Sequence, residues 1–524
     1  MNARRLFCLL LLLSAFFSEC VLAEEKKTIN YSFPVNMGPL NPHLYLPNQI
    51  LGQMLLYDRL VDYGKNGRIE PSLAASWDVS DDGLEYIFYL RPEVLFSDGQ
   101  PLSARAVAKN FDSFMTDRER HSWLEVVNKI EKWEAVNDLT FKISLSSPYA
   151  PTLYELATFR PFRFLSPAAF PESGLSFKGI QNPVGSGPWK VVERLPGQYD
   201  LFERNELYWG QKPQADRLMI KVIPDPLTRA IAMETGEIDL IYGLGQIGFD
   251  AFDRFSKDPR FETSISPPMG VQAIAVNTNR APTNEPAVRK ALQYLTNRDE
   301  IINGLFLGHQ LPAWTICHPD FPYCDLDLEA YPFNLELAAQ TLDEAGWKLP
   351  AKGRVRERDG KKLEFTFSFI GDNAAQKSLA EAFQAQAAKA GISVVLVGEE
   401  QDIFLSHSRD GDFSLISSTT WGPPLEPLAS LSAMRQPTDA DYHAQLGLAR
   451  KPEIDQKITR MLATTTDEER AELIREIFTI LHEEAVYIPI HVVSMLEVHR
   501  KDRLEGVEFA TDKYGVPFEK MTRK

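Results

Sequence analysis

Two hydrophobic periods take turns along this chain, and that alternation constrains its fold more than any other feature. "LEYIFYL" (84–90) and "LTFKISL" (139–145) alternate at period two, as strands with one buried face do. "LEFTFSFI" (363–370) repeats the pattern, while "ISVVLVG" (392–398) is a more continuous apolar run that suits a strand covered on both faces. Helical periods intervene. In "EPAVRKALQYLTNRDEIINGLF", Val288, Ala291, Leu292 and Leu295 fall on one face. In "TTTDEERAELIREIFTILHEE", Thr466 and Glu469 have capping-box spacing ahead of the stripe Leu473, Ile474, Ile477, Phe478 and Leu481. Interleaved strands and helices predict an α/β or mixed α and β fold. The 524 residues are 44% hydrophobic, enough for two or three domains. No Pro- or Ser-rich linker divides the chain, and no repeat of about 20–50 residues is visible. Lobes joined by several short crossings are therefore expected.

The N-terminus, "MNARRLFCLLLLLSAFFSECVLAEEKK", has the three parts of an export signal. Arg4 and Arg5 give the positive region, Leu6 to Phe17 the apolar core, and Val21 and Ala23 the small residues before a cut at Ala23–Glu24. Residues 1–23 are thus expected to be a signal peptide, since the apolar run is too short to span a bilayer comfortably. Glu19 directly before Cys20 fits lipoprotein processing poorly. With 72 acidic against 56 basic side chains the formal net charge is −16, a surface that repels nucleic acid and anionic membranes. Beyond the signal only Cys317 and Cys324 remain, in "CHPDFPYC". In an oxidising compartment a disulfide closing a short surface loop is the plain reading. His318 between them permits zinc on paper, but one His and two Cys at this spacing match no common finger.

Catalytic motifs are incomplete. Gly243, Gly245 and Gly248 in "YGLGQIGF" have dinucleotide-fingerprint spacing after the strand-like "IDLIY", but mid-chain in an exported protein a plain glycine loop is expected. "HEEAV" (482–486) opens like a zinc-protease helix, yet Val486 stands where the second histidine must be. No GxSxG elbow or Walker A loop occurs, and the nine histidines are scattered. "ATFRPFRF" (157–164) sets Arg160 and Arg163 among Phe159, Phe162 and Phe164. A guanidinium in a partly dry pocket can meet a carboxylate with little competition from water. Snorkelling, with the head in solvent, is the other reading.

Six longer stretches carry a resemblance. They are "EPSLAASWDVSDDGLEYIFYLRPEVLFSDGQPLSARAVAKNF" (70–111), "NPVGSGPWKV" (182–191), "RNELYWG" (204–210), "METGEIDLIYG" (233–243), "EPAVRKALQYLTNRDEII" (285–302) and "AAQTLDEAGWKL" (338–349). Together they resemble the family 5 extracytoplasmic solute-binding proteins, the peptide- and nickel-binding components of ABC importers. "FPVNMGPLNPHLYLPNQ" (33–49), "DRERHSWLE" (117–125), "RPFRF" (160–164), "VIPDPLTRA" (222–230) and "TTWGPP" (419–424) are most similar to the nickel-binding branch.

The resemblance implies a type II, cluster C binding-protein fold: two lobes, a hinged ligand cleft and an extra subdomain in the first lobe. Lobe one would comprise 24–64, the extra subdomain 65–190, 191–268 and a C-terminal return over 489–524, with lobe two over 269–488. Crossings near 265–275 and 485–500 would act as hinges. It also implies a monomer in the periplasm that serves an inner-membrane ABC permease and needs no catalytic cofactor. Its cargo would be nickel(II) held by an organic chelator, with haem-like ligands also linked to that branch. Carried over by motif, Arg120 and Arg160 would bind the chelator's carboxylates, and Tyr45, Trp123 and Trp421 would wall the cleft. The sequence departs from the pattern at two places. The branch's metal-contacting histidine falls on Asp439, with Asp441 and His443 nearby, and a cleft tyrosine falls on Leu425, a gap that Tyr514 could partly refill. Carboxylate suits harder ions than imidazole does. A short peptide, whose amine Asp439 could hold, or a metal-free organic acid is the alternative cargo. An exported metallohydrolase is the alternative from another class.

Overall fold

Strand Gly270–Val276, "GVQAIAV", is buried at every position. It lies inside a five-stranded sheet whose order is 393–399, 364–370, 415–419, 270–276, 487–493. A seven-stranded sheet runs 261–265, 496–500, 240–243, 28–33, 217–222, 199–204, 189–195. A third sheet, of four antiparallel strands, runs 74–79, 85–90, 140–145, 130–137. These sheets come from a computed structural model describing residues 26–45, 50–65 and 67–524; the expected signal segment lies outside them.

The chain leaves the seven-stranded sheet after Ile265 and enters the five-stranded one at Gly270, then returns between Val493 and Leu496. The two crossings run side by side. The N–H of Ser266 donates to the Met495 carbonyl at 3.0 Å, and the N–H of Met495 donates to Ser266 Oγ at 2.8 Å. This is a two-lobed architecture, with the four-stranded sheet inserted between the first strands of the seven-stranded one. One apolar cluster joins Phe88, Phe111 and Phe141 of the inserted part to Ile416, Ile474 and Ile477 of the other lobe. Another, with Tyr31, Trp189, Phe202 and Phe518, belongs to the seven-stranded sheet.

The helical stripes lie where their periods put them. Val288, Ala291, Leu292 and Leu295 are buried on helix Pro286–Leu295, and Leu473 to Leu481 on Asp467–Glu483. A second helix, Arg298–Phe306, restarts directly after the first because the Asn297 side chain caps the Glu300 N–H.

Two expectations change, and two others gain detail. The apolar run 392–398 is an edge strand with Val395 44% exposed, whereas 364–370 lies inside the sheet and buries Phe365, Phe367, Ser368 and Phe369. A continuous apolar run therefore does not ensure cover on both faces: at the edge of this sheet Val395 stays open to solvent, while the alternating run 364–370 is the more buried strand. Thr466 stands at the N-cap without a side-chain bond to its helix, and Glu469 does not reach back to it, because that carboxylate is taken by Thr464 Oγ1 at 2.6 Å and by Arg460. The three glycines do join a strand, Leu240–Gly243, to a helix, Phe249–Ser256. There the buried Arg229 already bonds the Gln246 backbone carbonyl and, at 2.8 Å, its Oε1, so the loop is tied to its own lobe. Finally, Cys317 and Cys324 are joined, Cα to Cα 5.4 Å, and close a loop whose Pro319 and Asp320 are exposed while the two cysteines themselves are buried. Their loop packs through Pro322 on Gly67, where φ is +71° and an added Cβ would lie 2.6 Å from the proline ring. Among the described residues, no helix is long and apolar enough to cross a membrane.

Candidate functional site

Phe162 and Phe164 are fully buried and anchor their segment, with Phe162 5.5 Å from Phe114 and Phe164 6.4 Å from Phe111 between ring centroids. Arg163 is buried with them. It donates Nε to the Phe159 carbonyl at 2.7 Å and Nη1 to the Tyr57 carbonyl, so it fastens the turn that presents Phe159 and Arg160.

Arg160 is held differently. Its guanidinium carbon lies 4.1 Å from the Tyr45 ring centroid and 5.3 Å from that of Phe159. Its Nε and Nη1 are buried and have no hydrogen-bond partner. Desolvation accordingly lowers its pKa, against the opposing influence of Tyr45 and Tyr514. Unmet buried donors cost about 1–3 kcal/mol, more when charged, so Arg160 carries an open capacity for acceptors that Arg163 lacks.

The walls are aromatic. Trp123 stacks on Phe159 at 6.1 Å and meets Trp421, from the other lobe, edge-on at 6.1 Å. Tyr514 lies 4.5 Å from Phe159. The Tyr45 hydroxyl accepts from Trp123 Nε1 at 2.9 Å and faces His121 Nδ1 at 2.6 Å. Burial and the fields of Arg120 and Arg160 push His121 down to about 3, so it is neutral. With Tyr45 donating to Nδ1, the proton sits on Nε2, which is buried and unpartnered.

On the opposite lobe, Gly422 lets the loop after Trp421 touch the crossing. Its φ is +71°, and an added Cβ would come 2.1 Å from the Met269 carbonyl oxygen. The Trp421 N–H donates to Glu426 Oε1 at 3.0 Å. Beside Trp421 opens a cavity of about 650 Å³ lined by Ser417, Thr419, Arg409, Asp439 and Asp441. The Asp439 side chain accepts from the Asp441 N–H at 2.8 Å and so caps helix Ala440–Gln445. Asp441 Oδ1 is buried without a partner. Desolvation raises Asp439 to about 7, Asp441 to about 6 and the buried Glu426 to about 7.

Tyr45, Trp123, Arg160, Trp421 and Tyr514 therefore come together, and Asp439 lies beside them. Arg120 is exposed and already paired with Asp117, unlike Arg160. Leu425 is 5% exposed within the core and offers the cleft little surface. His443 is turned to the carbonyls of Arg409 and Pro437, at 2.7 and 2.8 Å. His318 accepts from the Asp320 N–H beside the disulfide. Among the described residues no group of three or more His, Cys, Asp or Glu side chains could hold a metal ion. Sequence reading passed over His121, although it sits between Arg120 and Trp123 in "RERHSW".

A second cavity, of about 470 Å³, lies within lobe one between residues 54–70 and 509–520. Its two arginines are already engaged, Arg59 by Asp62 and Arg163 by main-chain carbonyls. The unmet donors of Arg160 mark the interlobe site instead.

Comparison with known proteins identifies the family. The nickel-binding periplasmic protein of Escherichia coli is 44% identical over 519 residues, covering 99% of this chain and 98% of its own. The crystal structure of NikA from Brucella suis in complex with Fe(III)-EDTA superposes with a TM-score of 0.92 at 45% identity, over 95% of this chain and 100% of that one. Heme-binding protein A of Haemophilus influenzae is 26% identical over 462 residues, 83% of this chain and 81% of its own. Residues 68–442 match the profile of the middle region of bacterial extracellular solute-binding proteins, family 5. The chain belongs to that family and is a solute-binding protein, not an enzyme.

Proposed function

We propose that this protein is the periplasmic substrate-binding component of an ABC importer, and that it captures an anionic chelate of a transition metal, nickel(II) foremost. The observation that carries this reading is the pair of buried, acceptorless nitrogens on Arg160 inside a ring of Tyr45, Phe159, Trp123 and Trp421. A guanidinium so placed matches the two oxygens of a carboxylate, and aromatic faces match the organic shell of a chelator. The nickel-binding relative and the Fe(III)-EDTA complex of the Brucella protein support the same cargo class. In this reading the exported chain is divided as the sequence suggests, the paired crossings at Ser266 and Met495 are the hinge, and Arg120 is a secondary anchor that must leave Asp117 to reach cargo. Asp439 contributes at most one oxygen to the metal, since its Oδ1 accepts the Asp441 N–H, and no cluster of ligands surrounds it among the described residues. The chelator therefore supplies most of the coordination. Leu425 is a spacer rather than a contact.

Calorimetric titration separates this from its rivals. Nickel(II) with free histidine or an aminocarboxylate should bind far more tightly than aqueous nickel(II). Tight binding of the bare ion, abolished by Asp439→Ala, would overturn it, and so would saturation by a short peptide alone. Native mass spectrometry of protein drawn from its periplasm should carry the chelate's mass.

A further inference from the structure

Lys513, next to Tyr514 on the returning C-terminal segment, is a cation left without an anion. Its ammonium makes no hydrogen bond or ion pair among the described residues; its recorded contact is the Tyr514 ring, 5.5 Å away. The two carboxylates whose fields reach it, Glu426 and Asp512, are committed to main-chain donors. Glu426 accepts from the Trp421 N–H at 3.0 Å, and Asp512 accepts from the N–H groups of Tyr514 and Gly515, each at 2.9 Å. Lys513 is only partly buried and its ammonium keeps contact with solvent, so it can take an anionic group without first giving up an ion pair. Desolvation does lower its pKa, as it does that of Arg160. The two cations share one aromatic platform. Tyr514 lies 4.5 Å from Phe159, over whose ring Arg160 lies at 5.3 Å.

We propose that Lys513 is a ligand-anchoring residue, whose ammonium takes an anionic group of the cargo beyond the one held by Arg160. The pocket then favours chelates whose organic shell is rich in carboxylate. Two cations that each contact one ring of an aromatic pair, and each lack an acceptor, suit two separated anionic groups on one bound molecule. This inference rests on the chelate-binding reading above, and its test keeps the two apart.

The experiment is titration of nickel(II)–EDTA and of nickel(II)–bis(histidine) into wild type, Lys513→Met, Lys513→Gln and Arg160→Ala, with melting curves to establish folding. Both lysine variants should lose at least tenfold in affinity for the EDTA complex and under threefold for the histidine complex. Arg160→Ala should weaken both. Lysine variants that bind both chelates like wild type, while Arg160→Ala does not, would overturn the role of Lys513 and leave the chelate reading intact. Equal losses on the two chelates would overturn the selectivity. Failure of wild type to bind either would overturn the underlying reading itself.

Discussion

Glu125 and Arg435 clasp the two lobes just outside the aromatic box. Arg435 Nη2 donates to both carboxylate oxygens of Glu125, at 2.9 and 3.2 Å, and Ser432 Oγ donates to the same carboxylate. Glu125 opens the short helix that follows Trp123, and Arg435 follows the helix Leu428–Ala433 on the Trp421 side. A contact that exists only when the lobes are together stabilises the closed form and nothing else. Glu125→Gln and Arg435→Met should each weaken cargo binding by about 1.5–3 kcal/mol, the worth of a charge-assisted hydrogen bond. The double variant should lose less than the sum, because both remove one interaction. Additive losses in a calorimetric double-mutant cycle would count against the clasp.

Arg160→Ala should cost cargo affinity about 1.5–3 kcal/mol per lost charged contact. It should leave the thermal midpoint unchanged or raised, since it removes two unsatisfied buried donors. Arg160→Lys should not restore binding, because an ammonium cannot form the two-pronged contact. Arg120→Ala should cost less, as Arg120 is exposed and holds Asp117. Equal losses at the two arginines would contradict the asymmetry.

The carboxyls around Trp421 set a pH dependence of stability. Asp439, Asp441 and Glu426 all have raised pKa values, about 7, 6 and 7, through desolvation. The folded state thus binds more protons than the unfolded one as pH climbs from the ordinary carboxylate range toward 7. Their contribution is whole below that range and is lost as pH rises to about 7. Asp441→Asn should therefore flatten the fall in thermal midpoint between pH 4 and 7, and Asp439→Asn should do the same while keeping the helix cap, which asparagine also forms. Melting curves that stay parallel to wild type across that interval would refute the assignment.

Thiol titration of the denatured, unreduced protein should find almost no free thiol. Reduction should then lower stability by about 2.5 kcal/mol on the loop-entropy relation for so short a loop. The buried sulfurs and the Pro322–Gly67 contact tie that loop to the inserted subdomain. An unaltered midpoint after complete reduction would mean that the loop is held by packing alone.

Trp123 and Trp421 sit edge to face across the lobes, so cargo that enters between them should change their emission. Small-angle scattering should show a smaller radius of gyration with chelate bound than without it. An unchanged radius at saturation would sink hinge closure.

How much of this was legible in the sequence depends on the range of the interaction. Helix stripes such as Leu473 to Leu481 are local patterns, and they survived intact. The exposure of Val395 was not legible, because what covers the faces of a strand is decided by elements distant in the chain. Thr466 lost its capping partner to Thr464 and Arg460, a competition that spacing does not record. By residue type Arg160 and Arg163 look alike in "RPFRF"; the resemblance singles out Arg160, and the carbonyls of Tyr57 and Phe159 are what hold Arg163 as a bolt. Lys513 left no sequence signal, since an absent partner is a property of packing.

The strand Leu496–Arg500 carries an implication for how the molecule comes into being. It lies between 240–243 and 261–265, so it is an inner strand of its sheet, and Tyr514 lies farther along the same tail. A chain threaded across a membrane from its N-terminus would deliver these residues last. The first lobe cannot complete its sheet, nor the box its far wall, until almost the whole polypeptide has emerged. Pairing across some 250 residues is slow by its topology. A truncated copy would lack both the inner strand and Tyr514, so on the proposed chelate-binding reading only a finished molecule is ready for cargo.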